Sequence, residues 1–66
     1  MVRKIVALGK EIVLPADVPE DVAKERYLSL LKDVDPEVAE EVEKVEHDVR
    51  VEGEVLVIYR LGAVFG

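Results

Sequence analysis

Apolar positions along this 66-residue chain recur with one period at its ends and another in its middle. From Arg3 to Leu8 and from Glu11 to Leu14 β-branched residues dominate, and the two runs meet at Gly9-Lys10. That pair predicts a two-residue type II′ hairpin turn, because glycine takes a positive φ without steric cost. In that register Ala7 faces Ile12 and Ile5 faces Leu14, while Val6 and Val13 share the other side. Apolar residues on both faces mark the first run as a central strand.

Pro15 is expected to end the second strand. Asp17 with Glu20 has the form of a capping box, and Pro19 suits a first turn. Ala23, Tyr27, Leu30 and Leu31 then make one apolar stripe, predicting a helix from about residue 18 to 32. Asp35-Pro36-Glu37 is a second start signal, with a cap residue, proline at the first helical position and an acid near the positive end of the dipole. Val38, Ala39, Val42 and Val45 give the stripe of that shorter helix.

Near Val45 the period falls to two. Val45, His47, Val49 and Val51 alternate with Glu46, Asp48, Arg50 and Glu52; after Gly53, Val55, Val57, Tyr59 and Leu61 alternate with Leu56, Ile58 and Arg60. An odd loop with a Gly53 bulge would bring both sets of valines to one face, which is the register expected here. Leu56 and Ile58 then fall on the opposite face with Val6, Val13 and Arg50. The order is ββα(α)ββ in one domain, residues 1–66: an α+β fold with a four-stranded mixed sheet under one helical layer. With the first and last strands adjacent they run parallel in the middle of a β-grasp sheet; the alternative joins the hairpins at other edges.

Charge sharpens this division. Residues 17–46 hold eleven acids and four bases, a net of −7, whereas the flanks hold four acids and five bases, a net of +1. The acidic middle reads as a solvated helix face, and a chain of net charge −6 is a poor partner for nucleic acid. No apolar run approaches the roughly 20 residues of a membrane span, and the first residues lack the apolar core of a secretory signal. A cytoplasmic location without membrane association is expected.

Catalytic chemistry finds no foothold in the residues. There is no cysteine, so no thiolate nucleophile or zinc–thiolate site. Strand alternation turns Glu46 and Asp48 away from His47, the single imidazole, which leaves it a structural role at the sheet margin. The acids Glu37, Glu40, Glu41 and Glu43 follow no calcium-loop pattern, and Ser29, the single serine, sits mid-helix. No phosphate-cradling loop is present. Neither metal nor cofactor is expected, and the chain reads as a non-enzyme.

Gly9-Lys10-Glu11-Ile12-Val13-Leu14 resembles the Gly-Lys-x-Ile-x-Leu first hairpin of ubiquitin-like proteins. The order Gly9, Leu14, Pro15; Pro19, Glu20, Val22, Tyr27; Pro36, Glu37, Val38; Val51, Gly53, Leu56, Val57, Tyr59; Gly66 is similar to the small prokaryotic ubiquitin-like family that includes the PRTRC system protein C. Two departures are the longer stretch from Pro36 to Gly53 and a single glycine at position 66 instead of a pair. The resemblance implies a modifier or carrier activated by a separate adenylating enzyme. Gly66 is then the conjugation residue, and Gly62, Ala63, Val64 and Phe65 are a mobile tail that the enzyme grips.

A second reading needs no chemistry: a protein-interaction module or idealised, designed scaffold. Its regular helix starts and clean alternation are what foldability alone demands. The predicted outer face of Val6, Val13, Leu56 and Ile58, rimmed by Lys4, Arg50 and Arg60, points to a protein partner or a homodimer.

Overall fold

In the structure, a computed structural model that describes residues 1–62, the first hairpin joins β1 (Val2–Ala7) to β2 (Lys10–Val18). The turn falls on Leu8-Gly9, one residue earlier than Gly9-Lys10, with φ of 51° and 80°. Two successive positive φ values make the type I′ turn, whose twist matches that of the flanking strands. The register is therefore Ala7↔Lys10, Ile5↔Ile12 and Lys4↔Val13, shifted by two residues from the expected one. A shift of two preserves the faces, so Ile5, Ala7, Ile12 and Leu14 are still buried together.

Pro15 does not end β2. The strand continues to Val18, which pairs with Val2 across an irregularity in the ladder. That irregularity interrupts the alternation of β1 and turns Val2 into the core, fully buried, beside exposed Arg3. Helix α1 (Glu20–Val34) starts after Pro19, which is its cap without a side-chain hydrogen bond. Asp17 instead places a carboxylate oxygen 3.3 Å from Nε of Arg3, so the expected capping box does not form. A local break at Arg26 (φ −117°, ψ 25°) lies inside α1. Helix α2 (Pro36–Lys44) begins as the sequence predicts: Asp35 accepts the Val38 N–H at 3.3 Å and Pro36 opens the first turn.

The second hairpin pairs β3 (His47–Glu52) with β4 (Val55–Arg60). Its turn is Gly53-Glu54, with Gly53 at φ 61°, and it closes on Glu52↔Val55. This is an even, two-residue loop, not the odd one expected. The even loop sets Val49 opposite Ile58 and Val51 opposite Leu56, so Leu56 and Ile58 enter the core while Val55 and Val57 turn outward. Packing explains the choice: the larger side chains go to the face where Ile5 and Ala7 of the neighbouring strand are already buried.

The sheet order is β2-β1-β4-β3, with β1 and β4 parallel in the middle and antiparallel partners outside. This is the β-grasp arrangement of an α+β chain. Both helices cover one face. Ala23 and Leu31 of α1 and Val38, Ala39 and Val42 of α2 join Ile5, Ile12, Leu14, Leu56 and Ile58 in one cluster. Among the described residues no polar side-chain atom is buried without a hydrogen-bond partner.

Candidate functional site: the open sheet face

The helices leave the other sheet face uncovered, and alternation decides what it displays. Cross-strand registers put Val13, Lys4, Val55 and Glu52 in one row and Glu11, Val6, Val57 and Arg50 in the next, with Tyr59 and Asp48 beyond. Val13 is 65% exposed and Tyr59 37%, while Val6, Val55 and Val57 are half-buried by their neighbours. The apolar centre is framed by charges that are already paired. Lys4 Nζ lies 3.1 Å from Glu11, and Arg50 lies 2.9 Å from Glu52 with its guanidinium 5.6 Å from the Tyr59 ring centroid.

Of the six residues the sequence assigns to this face, Val6, Val13 and Arg50 lie on it. Leu56 and Ile58 do not: they are 0% and 4% exposed, at the centre of the core, because the even turn reverses the parity of β4. Arg60 also leaves the set, standing opposite His47 on the helix-side parity at the strand's exposed end. Val55, Val57 and Tyr59 take their places. The signal for them was present. Gly53-Glu54 satisfies the same glycine-first turn rule that was applied to Gly9-Lys10, and the bulkier residues of β4 occupy its even positions.

At the sheet margin the imidazole of His47 is held from two sides. Its Nδ1 lies 2.8 Å from the Val45 carbonyl oxygen and its Nε2 lies 2.6 Å from the Tyr27 hydroxyl. A carbonyl only accepts, so Nδ1 carries the proton and Nε2 accepts from Tyr27. The rings meet edge-on, 5.6 Å apart at 80°. Burial, with a smaller contribution from the Asp48 charge, pushes the Tyr27 hydroxyl pKa above its ordinary value. This pair fastens α1 to β3.

A shallow hollow of about 370 Å³ opens at the irregular stretch of β2, beside Arg3, Pro15 and Glu54. Arg3 spans it, pairing with Asp17 at 3.3 Å and Glu54 at 3.4 Å, so its charge is already compensated. Among the described residues no cluster of three or more His, Asp or Glu side chains could hold a metal ion. No described helix is long and apolar enough to cross a membrane. Gly62 is exposed; Ala63, Val64, Phe65 and Gly66 lie outside the described residues. Comparison with known protein families, with curated proteins and with solved structures finds no match.

Proposed function

We propose that this protein is a non-catalytic binding module that recognises a protein partner through its open sheet face. The observation that carries this reading is the contiguous group Val6, Val13, Val55, Val57 and Tyr59, left uncovered on a sheet whose other face carries the core. An apolar centre rimmed by charged groups is the composition of a recognition surface. The acidic helical layer lies on the far side and keeps that face soluble and unengaged. A photo-crosslinker at position 57, compared with one at Glu41 on α2, tests the reading. The expected result is an adduct with one identifiable protein from position 57 alone, lost when Val6→Lys is added. Equal labelling from both positions would overturn it.

A second reading, the modifier that the family resemblance implies, draws support from one feature. β4, the central strand parallel to β1, ends at Arg60 and runs on to exposed Gly62, so the described chain leaves the sheet from its middle. In that reading the open face is what the activating enzyme docks on, and the Gly66 carboxylate is adenylated there. ATP–pyrophosphate exchange with such an enzyme should proceed with the full chain and stop when Gly66 is deleted. Equal exchange by both chains removes this reading and leaves the first untouched.

A further inference from the structure

The two edges of the sheet are finished differently. On β2 the turn closes on Ala7–Lys10, so the backbone groups of Glu11, Val13 and Pro15 face away from β1. Pro15 brings no N–H to that edge, and the ladder breaks between Val13 and Val18. Both features protect an edge from pairing. On β3 neither is present: six residues pair without interruption, and none is glycine or proline. Its turn closes on Glu52–Val55, so Asp48, Arg50 and Glu52 bond to β4 while the backbone groups of His47, Val49 and Val51 face outward. One of these donors is visibly without a strand partner: the Val49 N–H donates to Oδ1 of Asp48 at 2.8 Å.

We propose that β3 pairs antiparallel with β3 of a second copy, centred on Val49, making one eight-stranded sheet. In this register every outward group meets its complement: Val49 bonds the partner's Val49, and His47 bonds the partner's Val51. On the open face Asp48 stands opposite the partner's Arg50, and Arg50 opposite the partner's Asp48. On the helix side the half-buried Val49 and Val51 are covered further. Charge selects the register. A shift of two residues either way sets Arg50 against the partner's Arg50 or Asp48 against the partner's Asp48, and like charges directly opposite destabilise a ladder. Beyond residues 47–51 Glu46 would meet the partner's Glu52, so the ladder is short and the dimer reversible. The pairing does not rest on the open-face reading and leaves that face free.

Sedimentation of the full chain from about 10 μM to about 1 mM tests the proposal. The mass should rise toward twice the monomer, and added salt should lower the association by screening the two cross-strand ion pairs. Asp48→Arg and Arg50→Asp, each folded by circular dichroism, should each weaken self-association about tenfold or more. Their equimolar mixture should associate at least as well as the native chain, because each variant then faces opposite charges. Glu41→Gln, exposed on α2 and away from the β3 edge, should leave the association unchanged. A native chain that stays monomeric throughout overturns the proposal, and so do single variants that associate as well as the native chain or a mixture that fails to associate. Val49→Pro, which removes the central outward N–H, is an independent check: undiminished association would also overturn it.

Discussion

Leu8 holds the left-handed conformation at φ 51°, where its Cβ crowds the following carbonyl at a cost of about 1–2 kcal/mol. The residue is 36% exposed, so a polar side chain placed there reaches solvent. Asparagine tolerates this region, and Asn-Gly is the preferred pair for a type I′ turn. Leu8→Asn should therefore raise stability by about 0.5–1 kcal/mol, read as a higher urea midpoint. Tyr27 gives a second prediction at this scale. Tyr27→Phe leaves Nε2 of His47 without its donor and should cost about 1 kcal/mol at neutral pH. Because folding raises the Tyr27 pKa, its contribution is whole below the ordinary tyrosine value of about 10 and is lost as pH climbs through the raised one. Urea midpoints taken between about pH 8 and pH 11.5 should fall at the alkaline end for the native chain and less steeply for Tyr27→Phe.

Two aspartates show what decides a helix start. Asp35 accepts the Val38 N–H and caps α2, so Asp35→Ala should cost about 1 kcal/mol. Asp17 fits the same pattern on paper but pairs with Arg3 while 55% exposed, so Asp17→Ala should cost under about 0.5 kcal/mol. Paired urea titrations separate them, and equal losses would contradict these roles. Both helices were legible from their stripes, and α2 down to its cap. The start of α1 was not. Val18 precedes Pro19, and a residue before proline is held extended. Its pairing with Val2 then carries β2 past the position where a helix cap was expected. The local pattern lost to a strand partner sixteen residues away, and no window of sequence around Asp17 contains Val2.

At the scale of the molecule, one turn determines which side of β4 is inside. The strand order and the parallel central pair follow from four apolar runs and two short turns. The face assignment does not, because a loop of two or three residues at Gly53 exchanges every side chain of β4. Maximising the number of valines on one face favoured the odd loop. Filling the space over Ile5 and Ala7 favoured the even one, and volume won over count. That is also why half of the candidate face was misplaced: Val6, Val13 and Arg50 depend on elements whose parity was clear, whereas Leu56, Ile58 and Arg60 depend on this turn. The consequence can be measured directly. Leu56, fully buried, should lose about 2–5 kcal/mol on Leu56→Ala, a large share of the roughly 3–10 kcal/mol available to a domain of this size. Its neighbour Val57 lies half-buried on the uncovered face, where Val57→Ala removes two methyl groups with no enclosed cavity behind them. That change should cost under about 1 kcal/mol. Thermal melts of the two variants therefore report the parity of β4. If Val57→Ala proves the more damaging, the odd loop is the true one, and the apolar face available to a partner is built from Leu56 and Ile58 after all.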